Sequence, residues 1–195
     1  MALGVERWTA SSHALGPGRF APANAVRSED GIRLILPAGR CDGAEVVFPD
    51  RLASGLCRAV IRAADAPGSL TALFLYEGVP GEANDEIDVE ILGDDSRRVL
   101  LSTWRDGVQT NLADRVLPFD PRAGSHDYAI GWRPGEEVRF VIDGIEVERW
   151  TAGIPTRPMQ LRASVWRPAW LEGGAMDEDR YALVSGVAHV AESAV

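Results

Sequence analysis

Three carboxylates alternate with three aliphatic residues in the segment DEIDVEILG, residues 85–93. Successive side chains of a β-strand point to opposite faces, so this alternation predicts a strand that carries Glu86, Asp88 and Glu90 on one face. On an extended strand the backbones of the two glutamates lie roughly 13 Å apart. If the strand bends and the side chains lean together, the carboxyl groups can approach the roughly 5–5.5 Å of a retaining glycosidase, in which one acid is the nucleophile and the other the acid/base.

The acidic face also fits two simpler roles. Acidic residues commonly occupy the solvated face of an antiparallel strand, and a calcium site that adds Asp94 and Asp95 is another option. However, like charges stacked on one face are unfavourable, and the next basic residues are Arg97 and Arg98. The spacing also differs from that of an EF-hand loop. These details favour a functional cluster in which the middle carboxyl can hold a proton, but such a stretch taken alone is more often a solvated face, and both interpretations stay open at this point. We predict neither a metal nor a cofactor.

The composition is that of an ordinary globular domain and is compatible with an uncharged ligand such as a sugar. The 195 residues are 46% hydrophobic and 25% charged, which predicts one domain over residues 1–195. A net charge of −9 argues against nucleic acid and anionic membranes as partners. We expect a monomer. Residues 1–16 lack the basic and apolar regions of a secretory signal, so we expect a cytoplasmic protein, or an extracellular one if an export signal lies outside this sequence.

Short apolar or alternating runs separated by turn residues predict an all-β fold. A tight hairpin is predicted at Asp143-Gly144, because both residue types accept positive φ. Residues 105–125 are predicted to form an irregular loop. Many short strands at this spacing indicate a sandwich or a barrel. The predicted strands are residues 32–37, 44–48, 55–63, 70–77, 86–92, 98–104, 126–132, 137–143, 145–150, 159–166 and 182–192.

Several segments resemble glycoside hydrolase family 16, which includes lichenases, laminarinases and xyloglucan transglycosylases. The Glu-x-Asp-x-Glu strand resembles the active-site strand of that family. The segments FDPRAGSHDYAIGWRPGEEVRFVIDGIEVERW and IPTRPMQLRASVWRPAWLEGG resemble two later family segments in order and spacing. The likeness covers roughly residues 54–172. The resemblance implies a β-jelly-roll sandwich of two curved antiparallel sheets, with the catalytic strand in a concave substrate cleft.

The resemblance also implies roles for the three acids. Glu86 would be the nucleophile, Asp88 its assisting carboxylic acid and Glu90 the general acid/base. The strand has the regular form found in lichenases and xyloglucan transglycosylases, without the extra residue that is usual in laminarinases. The implied substrate is a neutral β-linked oligo- or polysaccharide.

Cleft residues are also implied by the resemblance, together with departures from it. Lichenases carry a tryptophan two residues before the nucleophile, where this chain has Asn84, so we expect weak activity on β-1,3-1,4-glucan. They also have an arginine where this chain has Val47, two residues after the family's glutamate. No acid stands in for the family's structural calcium ligand around residues 186–189. The predicted substrate-binding residues are Trp166, Trp170, Trp104, Tyr76, Asn84, Glu45 and Ser164.

The predicted function is retaining endo-β-glucan hydrolysis. Three alternatives remain open: transglycosylation within the same family, action of a diverged intracellular member on a non-polysaccharide ligand, and carbohydrate binding without catalysis.

Overall fold

The computed structural model describes residues 3–78, 83–174 and 176–191 and is built almost entirely of strands. Two short 3-10 helices, Val5–Arg7 and Pro22–Asn24, are the helical elements of this described part. None of its helices has the length and apolarity needed to cross a membrane. The strands, β1 to β16 in chain order, are Thr9–Ala10, His13–Leu15, Gly18–Phe20, Ala25–Ser28, Gly31–Leu36, Ala44–Leu52, Gly55–Arg62, Leu70–Glu77, Asp85–Leu92, Arg98–Arg105, Val108–Val116, His126–Arg133, Glu137–Ile142, Ile145–Trp150, Met159–Trp166 and Arg180–Val190.

Two seven-stranded antiparallel sheets form the predicted β-jelly-roll sandwich, which confirms the fold class. The first has the order β1-β6-β15-β8-β9-β10-β11, and the second has the order β14-β13-β12-β7-β16-β5-β4. Strands β2 and β3 form a separate hairpin. The acidic strand β9 lies inside the first sheet, between β8 and β10.

The core lies between the two large sheets, and alternation along the strands determines which side chains enter it. Ile87, Val89 and Ile91 of β9 are buried in a cluster with residues of the opposite sheet, such as Tyr128 and Trp132. Burying this apolar surface contributes about 25 cal/mol for each Å² removed from water. Glu86, Asp88 and Glu90 occupy the alternate positions and must then face away from the core, onto the outer surface of the first sheet.

The predicted irregular stretch 105–125 is wrong, because β11 occupies Val108–Val116 within it. Most residues of β11 are exposed, since it is the edge strand of its sheet, so it lacks the hydrophobic pattern of an inner strand. The turn before it did carry a signal: Asp106 and Gly107 both have positive φ and join β10 to β11. The predicted hairpin at Asp143-Gly144 has the same two-residue form and is confirmed.

Candidate active site

The three acids lie in a row along β9 on the outer face of the first sheet. Each acid has different neighbours on the two adjacent strands. Glu86 pairs with Trp104 on β10 and with Tyr76 on β8. Asp88 pairs with Ser102 and Phe74, and Glu90 with Leu100 and Ala72. Because paired residues in a sheet share a face, each acid belongs to a row of side chains that crosses the sheet.

A cavity of about 610 Å³ opens over this face and contains all three acids. Its floor includes a small apolar cluster on β8, with Trp166 packed against it. The hairpin of β2 and β3 forms part of the wall, and Gly16 at its turn lies against the ring of Trp166. The lining residues are His13, Ala14, Leu15, Phe20, Glu45, Ala72, Phe74, Tyr76, Gly78, Glu86, Asp88, Glu90, Arg162, Ser164 and Trp166.

Asp88 is the most enclosed of the three acids, with 6% of its surface exposed. The Ser102 hydroxyl donates a hydrogen bond to Asp88 Oδ2 at 2.6 Å. Trp104 Nε1 in turn donates to Ser102 Oγ at 3.2 Å. This chain of donors fixes the Asp88 carboxyl group between the two glutamates.

Burial raises the pKa values of all three acids, and their mutual repulsion adds to the effect. Burial and the charge of Glu86 raise the pKa of Asp88 well above its usual range, which favours the protonated form of Asp88 as the donor in its hydrogen bond with Glu86. Burial also raises the pKa of Glu86, the hydrogen bond from Asp88 lowers it and the charge of Glu90 raises it, which leaves it at about 7. Burial and the neighbouring Asp88 raise the pKa of Glu90 to about 8. Glu86 is thus the more readily ionised glutamate.

Two residues that precede Glu86 anchor the beginning of β9. The side-chain amide of Asn84 donates to Glu86 Oε2 at 2.8 Å. Asp85 is 1% exposed, and its carboxylate accepts hydrogen bonds from the backbone N–H groups of Asp106, Thr156 and Arg157 at 3.0, 2.9 and 3.1 Å. Asp85 therefore ties this end of the strand to two other loops.

The far side of the cavity holds a second polar group of residues. Glu45 on β6 is 3% exposed and accepts a hydrogen bond from the Ser11 hydroxyl. His13 Nε2 lies 3.6 Å from Glu45 Oε1. Arg162 Nη1 donates to the same oxygen at 3.3 Å, and its guanidinium lies over the Tyr76 ring, 4.7 Å from the ring centroid.

The structure brings most of the predicted site residues together. Tyr76, Glu45, Ser164 and Trp166 line the cavity with the three acids. Asn84 and Trp104 are outside the lining: Asn84 donates directly to Glu86, whereas Trp104 donates to Ser102, which in turn donates to Asp88.

Trp170 is not brought to this cavity. It follows β15 in a loop, and 57% of its surface is exposed. Tyr76, predicted as a stacking platform, has one ring face occupied by the Arg162 guanidinium.

Sequence reasoning missed His13, Phe74 and Arg162 among the lining residues. Phe74 and Arg162 occupy alternate positions of predicted strands, on the same faces as Tyr76 and Ser164 respectively, so the alternation itself could have indicated them. His13 had no comparable signal, because the short hairpin that carries it has no hydrophobic periodicity.

Within the part of the chain that the structure describes, no group of three or more His, Cys, Asp or Glu side chains is arranged to hold a metal ion.

Comparison with known proteins places these observations in a family. The model for "Glycosyl hydrolases family 16" matches residues 20–180. A β-glucanase of Acetivibrio thermocellus is 35% identical over 108 residues, which are 54% of this chain and 32% of that protein. Xyloglucan endotransglycosylase/hydrolase protein 8 of Oryza sativa subsp. japonica is 25% identical over 179 residues, 82% of this chain and 61% of that protein. The chain therefore spans less than two thirds of either relative.

A solved structure shows the same fold over nearly the whole chain. A β-1,3-1,4-glucanase (lichenase) from a mouse hindgut metagenome superimposes with a TM-score of 0.86, covering 97% of both chains at 24% identity. The family match, which spans most of the residues from β3 to β16, agrees with the acidic strand and the sandwich. The chain belongs to glycosyl hydrolase family 16.

Proposed function

We propose that this protein is a retaining endo-β-glucan hydrolase. The observation that carries the proposal is the placement of Glu86, Asp88 and Glu90 on one strand at the floor of a large cavity. Burying three carboxyl groups close together is energetically unfavourable. A protein that only binds carbohydrate would have no need of such a cluster. The named β-glucanases among the relatives support the same class of activity.

The reaction needs an ionised nucleophile and a protonated acid, and the environments of the glutamates differ in that direction. Glu86, the more acidic glutamate, attacks the anomeric carbon and forms a glycosyl-enzyme ester. Glu90, with its pKa raised to about 8, gives its proton to the departing glycosidic oxygen. Glu90 then takes a proton from water, whose oxygen attacks the anomeric carbon and releases Glu86 as a carboxylate.

Asp88 assists without bonding to the sugar. Its carboxylic acid donates a hydrogen bond to Glu86, which spreads the charge of the nucleophile and keeps Glu86 oriented. The substrate is a neutral β-linked oligo- or polysaccharide, with Trp166 offering a ring face and Ser164 a hydroxyl within the cavity.

The decisive experiment separates the two glutamates. Glu86→Gln is expected to abolish release of reducing sugar from β-glucans while the circular dichroism spectrum stays unchanged. Glu90→Ala is expected to be slow on polysaccharide but fast on 2,4-dinitrophenyl glycosides, because that leaving group needs no proton. Glu148→Gln, on the opposite sheet, is the matched control. Full activity of Glu86→Gln would disprove the nucleophile assignment.

A second candidate is transfer of the glycosyl group to another sugar. The match to the rice endotransglycosylase/hydrolase, over 82% of this chain, favours it. Transfer uses the same first step, and a sugar hydroxyl then replaces water as the acceptor. Incubating a β-glucan with a fluorescent oligosaccharide and separating the products by size distinguishes the two, since only transfer moves the label into long chains.

A further inference from the structure

Arg162 is the one arginine among the described residues that line the cavity, and its guanidinium has unused hydrogen-bonding capacity. A guanidinium has five N–H donors. Its two side-chain hydrogen bonds in the described structure are long: Nη1 to Glu45 at 3.3 Å and Nη2 to Gln160 at 3.4 Å. Nε is buried and has no partner among the described residues. Polar atoms in this condition are unusual in folded proteins and call for an explanation.

The Arg162 guanidinium is nonetheless held in a defined place. It stacks on the Tyr76 ring, a contact that orients its planar fork without using its donors. Its side chain is only 18% exposed. The arrangement resembles a binding group that is already positioned before a ligand arrives, which reduces the entropy lost on binding.

The groups around Arg162 fit hydroxyl groups better than an anion. Glu45 Oε1 lies between Arg162 and His13 and also accepts from Ser11. A carboxylate beside a guanidinium repels an anionic ligand but offers an acceptor next to a donor. Two adjacent sugar hydroxyls, one donating to Glu45 and one accepting from Arg162, would match this pair.

The position of this pair relative to the acids is fixed by strand register. Arg162 is paired with Phe74, which is paired with Asp88, so two strand spacings separate Arg162 from the acids. Glu45 is paired with Ser164 one strand farther on. At about 4.8 Å per strand the backbones of Arg162 and Glu45 lie roughly 10 Å and 14 Å from β9. The pair therefore faces a part of the cavity beside the acids, with the Arg162 guanidinium lying over Tyr76, the neighbour of Glu86.

We propose that Arg162, together with Glu45, forms a distal sugar subsite that binds adjacent hydroxyls of a neutral glycan by hydrogen bonds and thereby determines the substrate's minimum length. Arg162 is the specificity-determining residue, and it projects from the position of β15 that is paired with Val47 of β6. This inference rests on the proposed function, because it assumes that a β-glucan chain crosses the acids.

The experiment compares substrates that differ only in length. Initial rates are measured on the 4-nitrophenyl β-glycosides of glucose and of β-linked glucose di- and trisaccharides, for the wild type, Arg162→Met and Arg162→Lys. Arg180→Met, on the opposite sheet, is the matched control. Loss of the Arg162 charge, which lowers the pKa of Glu86, acts on all three glycosides alike. Beyond that common effect, we expect Arg162→Met to lower kcat/KM by a further factor of about ten to a hundred on the longest glycoside relative to the monosaccharide glycoside, the loss typical of a charged hydrogen bond.

Arg162→Lys is expected to fall between the wild type and Arg162→Met, because lysine keeps the charge but lacks the planar fork. An equal loss on all three glycosides, or no loss on any, would overturn the inference while leaving the proposed hydrolysis intact. If the wild type cleaves none of them, the proposed hydrolysis of glucosides is wrong. Calorimetric titration of Glu86→Gln with the trisaccharide, with and without Arg162→Met, then decides the subsite: weaker binding with Arg162→Met supports it, and equal or absent binding rejects it.

Discussion

The side-chain amide of Asn84 donates a hydrogen bond to Glu86 Oε2 at 2.8 Å. The family resemblance places a tryptophan ring at this position in lichenases, where it would act as a platform for sugar. Here an amide contacts Glu86, the proposed nucleophile, directly instead. A donated hydrogen bond stabilises the ionised carboxylate, so a substitution at position 84 acts on the chemistry of Glu86 as well as on sugar affinity.

Replacing Asn84 by alanine is therefore expected to make Glu86 harder to ionise. The acidic limb of the pH profile of kcat/KM would move to higher pH by up to about one unit, since one hydrogen bond to a charged group contributes about 1.5 kcal/mol. Asn84→Trp adds a ring but removes the same bond, so we expect a lower KM on β-1,3-1,4-glucan together with a lower kcat. The measurement is a set of initial rates between pH 5 and 9. An acidic limb that does not move in either variant would mean that this hydrogen bond has no role in ionisation.

The pH profile of the wild type is expected to be bell-shaped with a narrow maximum. Activity rises as Glu86 loses its proton, with a pKa of about 7, and falls as Glu90 loses its proton, with a pKa of about 8. Both limbs are read from the pH profile of kcat/KM, because that profile reports the pKa values of the free enzyme. The basic limb is expected to vanish in Glu90→Ala on an activated glycoside, where no proton is needed. A wild-type profile that is flat from pH 5 to 7 would contradict the assignment of Glu86.

The ionised form of Glu90 is unfavourable in the folded state, so the effect of Glu90 on stability depends on pH. Its folded pKa of about 8 lies above the ordinary 4.5, so the folded state holds this proton more tightly than the unfolded state. The contribution of Glu90 to stability is full below pH 4.5 and is lost as pH rises through about 8. Glu90→Gln is expected to raise the melting temperature by several degrees at pH 8.5 and to change it little at pH 4.5. Calorimetric scans at the two pH values test this, and an equal change at both would reject it.

Asp85 is expected to hold β9 in place through its buried carboxylate. Burial alone would raise its pKa, but the N–H groups of Asp106, Thr156 and Arg157 outweigh burial and hold the pKa below its usual range. Asp85→Asn points an N–H₂ group at backbone donors, so we expect a loss of about 2–4 kcal/mol in unfolding free energy at pH 7.

The destabilisation caused by Asp85→Asn is expected to shrink in acid, because the wild type loses the contribution of an ionised Asp85 as pH falls through its lowered pKa. Urea unfolding at pH 7 and pH 3 gives both values. Asp114→Asn, at an exposed edge position, is the control and is expected to cost under about 1 kcal/mol. A loss in Asp85→Asn no larger than that of the control would show that the three N–H contacts are not stabilising.

Local alternation was enough to predict most of the fold. Strands β8 and β15 have the predicted bounds, since each is an inner strand rich in buried apolar residues. The edge strand β14 also has the predicted bounds, because the Asp143-Gly144 turn marks where it begins. The same period of two predicted that Glu86, Asp88 and Glu90 share a face. Strands β1 to β4 were missed because each has only two to four residues, too few to show a pattern. Strand β11 was missed because an edge strand need not bury either face. The jelly-roll sandwich and the roles of the three acids were predicted from the family resemblance, because the alternation of residue types carries no information about either.

The sequence by itself thus determined the elements and the acidic face, because both depend on neighbours in the chain. The tertiary structure alone decided which distant residues meet in the cavity. Glu45 and Arg162 are 117 residues apart and touch because β6 and β15 are neighbouring strands of one sheet, and non-local pairing leaves no mark in the local pattern. Burial was decided in the same way: the fold encloses Asp88 and Glu90 and raises their pKa values, whereas an extended chain would leave the same carboxyl groups in water.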